Sequence, residues 1–177
     1  MPLPFSLAQA IAAPPARVWA AIVDLDCVAR WMPGTLNVER LGPGPLATGS
    51  TFRQTRRMFG RVATERFEVL RLDPTERTIA LEVDGRRGPI GRGIIRFRYA
   101  VDARDGDAAS VIRLSGEIDG LGRAVELVAG LFLGRFVEAL AGDLEALRRH
   151  LEQGDHLEQG DHLEQGDHLE QAEGPAP

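Results

Sequence analysis

The chain has 177 residues, a net charge of −5 and 44% hydrophobic residues, enough apolar surface for one domain of ordinary size. It contains no lysine, which excludes Schiff-base chemistry and a P-loop lysine, and one cysteine, Cys27, which excludes an intrachain disulfide or a cysteine-held zinc. Residues 1–149 carry 21 Arg against 18 acidic residues, whereas residues 150–177 carry 8 acidic residues, no Arg and all four histidines, so the acidity belongs to the tail.

Residues 4–12 alternate, with Phe5, Leu7 and Ile11 on one face, the pattern of a first strand. Pro14-Pro15 opens a helix, since proline is tolerated in a first turn, and Val18, Trp19, Ile22 and Val23 form its inner face. A second short helix covers about Cys27–Met32 and is stopped by Pro33-Gly34. Six strands follow over 35–41, 51–59, 61–72, 77–84, 94–103 and 110–118, with a hairpin around Gly60. Clean alternation gives one wet and one dry face, hence an antiparallel sheet and an α+β layout.

From Leu121 to about Leu151 apolar residues recur every three or four positions, through Val125, Val128, Phe132, Phe136, Leu140, Leu144 and Leu147. A second row, Leu127, Leu131, Leu133 and Val137, makes the first half apolar most of the way round. Such a helix is buried on more than one side, and along a curved sheet it can enclose a cavity. After Arg149 the hexapeptide HLEQGD occurs three times. A glycine every six residues limits each repeat to about one helical turn, which is marginal in water. His150, His156, His162 and His168 are spaced so that successive rings turn by about 240°, so no metal site is expected. The chain thus divides into a ligand-binding domain, 1–150, and an acidic tail, 151–177, disordered or a frayed helix. No run approaches the length of a membrane span. Residues 3–13 lack the basic start of a signal peptide and are broken by Gln9, so a cytoplasmic protein is expected.

The block PPARVWAAIVDLDCVARWMPG at 14–34 resembles the opening of the polyketide cyclase/dehydrase-like branch of the START/Bet v 1-like (SRPBCC) superfamily. The matching features are the proline, the Val18-Trp19 pair, the aspartate near the end of helix one, and Trp31-x-Pro33. The strand order and long terminal helix fit over about residues 4–150. The resemblance implies a helix-grip fold, in which about seven curved antiparallel strands wrap the C-terminal helix, with two short helices after strand one and a pocket between sheet and helix. It implies no particular reaction. The superfamily includes lipid carriers, polyketide aromatase/cyclases, hydrolase-like members and chaperone cofactors, and these share no single catalytic set.

Taking the pleat literally, Phe52 and Met58 bring Gln54 and Arg56 inward, Phe67 and Val69 bring Glu65, and Phe97 and Val101 bring Tyr99, the only tyrosine. Buried charges must be paired, and Arg56 and Glu65 are expected to pair across the hairpin. These groups either orient a ligand's carbonyl, carboxylate or hydroxyl, or form a structural ion pair near the sheet rim with Tyr99 bonded to backbone. Trp31 lines the pocket mouth, as the resemblance implies, or plugs the core under the short helices. Phe132 and Phe136 point at the sheet, as core, as ligand contacts, or as both in a pocket protein. The candidate ligand-binding set is therefore Trp31, Gln54, Arg56, Glu65, Phe97, Tyr99, Phe132 and Phe136, with no metal, no cofactor and no assigned catalytic residue. Gly130 and Gly134 are expected to allow close approach to the sheet or leave room for ligand. Arg86, Arg87, Arg92, Arg96 and Arg98 form the most basic patch, but Glu82, Asp84 and Glu117 on neighbouring strands favour cross-strand pairing over nucleic-acid binding.

Three functions compete. A non-catalytic carrier or sensor of a small hydrophobic molecule (a lipid, polyketide or aromatic) needs only the pocket and a few polar anchors, and is favoured. An aromatase/cyclase-like enzyme would use Arg56, Glu65 or Tyr99 to move protons, since carboxylates and tyrosine do acid–base work when their pKa is tuned. An interaction scaffold would use the acidic tail. No residue pattern supports or excludes a homodimer.

Overall fold

The computed structural model describes residues 2–85, 93–120 and 123–164, with side chains over 133–153 in the last stretch. In chain order the elements are β1 (Leu3–Ile11), α1 (Pro15–Val23), α2 (Leu25–Trp31), β2 (Thr35–Arg40), β3 (Thr51–Met58), β4 (Arg61–Asp73), β5 (Thr78–Asp84), β6 (Ile94–Arg104), β7 (Ala109–Asp119) and α3 (Arg123–Glu164). The seven strands form one antiparallel sheet in the order β1-β7-β6-β5-β4-β3-β2, so the last strand returns beside the first. This is the expected helix-grip order.

The second helix begins two residues earlier than its apolar pattern suggested. Asp24 ends α1 and caps α2, accepting a hydrogen bond from the Asp26 amide at 3.0 Å. Two bulges account for two exposed leucines. The β2–β3 register shifts at Leu36 and the β4–β5 register at Leu70, and each leucine is turned out to solvent. The β4 bulge lies beyond Val69, so Glu65, Phe67 and Val69 keep the phase that faces inward.

The core fills the space between the sheet's dry face and α3. Val69, Ile79, Val83, Ile112, Leu114 and Ile118 project from the sheet, and Phe136, Leu140, Leu144, Leu147 and Leu151 meet them from the helix. Val18, Ile22, Leu25, Val28 and Trp31 close one end from α1 and α2. The helix is tied to the first strand where the Ala12 amide donates to Glu152 Oε1 at 3.0 Å, and Arg148 braces Glu152 from one turn earlier. The α3 backbone runs past Leu151, Gly154 and Gly160 to Glu164. Among the described residues no helix is long and apolar enough to cross a membrane.

Candidate functional site

The pleat does what the alternation implied. β3 presents Gln54, Arg56 and Met58, β4 presents Glu65 and Phe67, and β6 presents Phe97 and Tyr99 to a cavity roofed by Phe136, Leu140 and Asp143 of α3. This chamber has about 50 Å³ of open volume. A second, of about 60 Å³, lies under α1 and α2 and is lined by Trp31, Phe52 and Ile79 among others. Met32, Gln54, Phe67, Leu81 and Tyr99 border both. Phe52 and Phe67 stack at 4.8 Å, nearly parallel, and stiffen that wall.

The buried cation is not paired as the sequence suggested. Arg56 does not bond Glu65. Its two terminal nitrogens donate to Asp143 Oδ2 at 2.8 Å and Oδ1 at 2.5 Å, and its Nε donates to the Pro33 carbonyl at 3.0 Å. Register explains the difference: Glu65 lies opposite Gln54 and Arg56 opposite Ala63, so the guanidinium reaches across to the helix instead of along the hairpin. The pair is well buried, at 15% and 6% side-chain exposure, and its bidentate geometry is the strong form of a charge-assisted bond. Burial pushes the Asp143 carboxyl above its ordinary range, with the Arg56 bonds pulling it back.

Glu65 and Tyr99 are left over. Neither the Glu65 carboxylate nor the Tyr99 hydroxyl hydrogen-bonds a described residue; both residues are half-buried and line the first chamber. Burial raises the Glu65 pKa, only partly offset by the nearby Arg56 charge. Burial also raises the Tyr99 phenol well above its usual value, the Asp143 charge adding and Arg56 opposing, so it remains a proton donor. Gln54 is occupied, its amide nitrogen lying 3.0 Å from both Met32 Sδ and Thr35 Oγ1. The arrangement is an apolar chamber with one neutralised cation, one phenol donor and one carboxyl group able to hold or release a proton.

Residues 4–152 match the family described as polyketide cyclase / dehydrase and lipid transport. The chain belongs to that family. The Zhui aromatase/cyclase from Streptomyces sp. R1128 is similar in structure, with a TM-score of 0.71 and 20% identity over 86% of this chain and 95% of that one. Major latex-like protein 151 from Panax ginseng also has a TM-score of 0.71, at 12% identity over 85% and 98% of the two chains. The allergen Ara h 8.0201 has a TM-score of 0.64 at 16% identity, over 86% and 99%. At these identities the likeness establishes the helix-grip fold. No curated protein sequence matches the chain.

In this member of the family the remaining sequence-derived residues fall as follows. Trp31 is both core and lining: it is buried, its Nε1 donates to the Ala21 carbonyl at 3.1 Å, and its ring faces the second chamber. Phe97 and Phe136 line the first chamber and pack on Phe5, whereas the Phe132 side chain lies outside the described residues. Gly134 is corrected. A Cβ there would meet nothing within 4 Å, because the residue is on the solvent side of α3, so it neither approaches the sheet nor makes room for ligand. On the wet face Arg96 bridges Glu82 and Glu117 at 2.9 and 3.0 Å, the expected cross-strand pairing; Arg86, Arg87 and Arg92 lie outside the described residues.

Two contacts were missed. Asp143 is a polar residue in an apolar row, three after Leu140 and four before Leu147, and that interruption was its signal. His150 is not only a tail residue: its Nε2 lies 3.8 Å from Cys27 Sγ, where α3 crosses α2. Burial raises the Cys27 thiol pKa, with Arg30 opposing and Asp24 adding, which favours an unreactive thiol. Neither residue lines a chamber.

Proposed function

We propose that the protein binds a small hydrophobic ligand, a lipid, polyketide or aromatic compound bearing a carbonyl or hydroxyl group, between the sheet and α3, as a carrier or sensor. The observation that carries this is the pair of unbonded polar groups, Tyr99 and Glu65, opening into an apolar chamber beside the Arg56–Asp143 clamp. Solvent still reaches both groups, so a ligand oxygen would take the place of water at each. Each chamber as it stands holds a water or two, so the ligand must displace side chains. Met32 and Met58, at the chamber walls, have the flexible thioether chains suited to that. The partner in this reading is a small molecule in the cytoplasm and not a nucleic acid. Native mass spectrometry of gently purified protein should show an organic adduct, or a mass shift on adding lipids and aromatic polyketides, and Tyr99→Phe should weaken that binding about fivefold. A clean apo mass with no shift across such a panel overturns the proposal.

An aromatase/cyclase-like reaction is the second reading, favoured by the raised Glu65 pKa in the same chamber as a protonated phenol. Such a pair can take a proton from one ligand carbon and give one to an oxygen. Its strain is testable without substrate. Because burial raises Glu65 above 4.5, the folded protein binds that proton more readily than the unfolded chain, and stability falls as pH rises through the interval just above 4.5. Glu65→Gln carries no such charge. It should be more stable than wild type at neutral pH, and the advantage should fade in acid. A less stable variant at pH 7 would make Glu65 a structural partner instead. In a turnover assay, loss of product with ligand binding retained would favour the enzyme reading over the carrier.

A further inference from the structure

We propose that the β3–β4 end of the sheet docks the protein onto an anionic lipid surface. Five large hydrophobic residues are exposed among the described residues, and three of them, Leu36, Phe59 and Val62, are at this end. Phe59 and Gly60 form a two-residue loop with φ of 52° and 76°, the pattern of a type I′ turn. That turn favours Asn, Asp or Gly. A bulky aromatic in the left-handed region is strained, yet Phe59 sits there with 44% of its surface exposed. Val62, three residues on, is 53% exposed, and Leu36 at the β2 bulge is 57% exposed beside Thr55 and Arg56.

Carboxylates lie farther along the sheet, where Glu39, Glu68, Glu82 and Asp84 adjoin Arg53 and Arg66, and not at the loop itself. Arg57 and Arg61 flank the loop, and Arg66 stands directly opposite Arg53 across the hairpin. Like charges in that position repel. Arg53 reaches Glu39 at 3.5 Å, but Arg57, Arg61 and Arg66 make no ion pair with a described residue. Apolar side chains at a hairpin tip, flanked by Arg57 and Arg61, match an interface that is apolar inside and negative at its face. A nucleic acid would match the charge and could stack on Phe59, but it offers nothing to the exposed aliphatic Leu36 and Val62. The inner face of the same hairpin carries Met58 into the first chamber, so docking would set that end of the chamber against the lipid. Arg57 and Val62 share the outer face and Arg61 the face of Met58, so the patch is the hairpin tip and docking there holds whatever the chamber takes.

The full chain is sedimented with phosphatidylcholine vesicles and with phosphatidylcholine–phosphatidylglycerol vesicles. It should bind the mixed vesicles, release with salt, and bind the neutral ones poorly. Arg57→Gln with Arg61→Gln should lose roughly 30-fold in partitioning, at about 1 kcal/mol per arginine. Phe59→Asn with Val62→Ser should also lose binding while keeping its circular dichroism, since asparagine suits the turn. Failure to bind mixed vesicles, or wild-type binding by both double variants, overturns the proposal. So does loss confined to the arginine variant with equal binding to heparin, which would mean charge attraction to any polyanion.

Discussion

Asp143→Leu should lower stability by about 3–5 kcal/mol, because it leaves the Arg56 guanidinium buried without its counter-ion. Asp143 is 4% exposed and supplies both oxygens of a bidentate bond from a strand 87 residues earlier in the chain. The pair's own net worth is much smaller, since both charges were taken out of water to make it. The double variant Arg56→Leu with Asp143→Leu should therefore recover most of the loss, leaving chiefly the Pro33 carbonyl without its Arg56 donor. Denaturant unfolding of the two single variants and the double variant measures the coupling directly. A single variant within about 1 kcal/mol of wild type, or a double variant as unstable as either single, would show that Arg56 finds solvent or another partner. The same clamp holds α3 to the sheet at the chamber, so its loss should loosen the ligand site as well.

Gly116→Val should destabilise by about 3 kcal/mol or more, a drop of roughly 6–12 °C in melting temperature for a domain of this size. Gly116 lies on β7, opposite Phe5 on β1 and Phe97 on β6. A Cβ at this position would sit 2.5 Å from Phe5 Cζ and would overlap the Arg96 carbonyl oxygen. The ring occupies the space a side chain would take. From there Phe5 meets Phe97 edge-on at 5.9 Å and Phe136 at 5.7 Å, so one glycine sets the three aromatic rings that join the β1–β7–β6 end of the sheet to α3. Gly116→Ala should show a smaller loss of the same sign. Thermal unfolding of both variants is the check, and melting within a degree of wild type would mean that Phe5 can swing away at no cost.

Much of the molecule was legible in its residues. Period-two alternation placed seven strands within a few residues of their observed limits, because each strand's hydrophobic face repeats every second position whatever it pairs with. The same alternation placed Gln54, Arg56, Glu65 and Tyr99 on the dry face, since no bulge falls between them and their inward neighbours. Helix starts were less legible, because one side chain, Asp24, serves as the cap between two helices whose apolar patterns adjoin.

What the sequence by itself determined was which side chains share a face, and hence an antiparallel sheet, a long apolar helix and a polar group in an apolar wall. Only the tertiary structure decided who partners whom. Arg56 turned to Asp143 and not Glu65, His150 met Cys27 from 123 residues away, Gly116 made room for Phe5, and Gly134 proved to face solvent. Local periodicity reports the direction in which a residue points along its own element. The partner it meets depends on where another element crosses and at what register, and no local pattern carries that information.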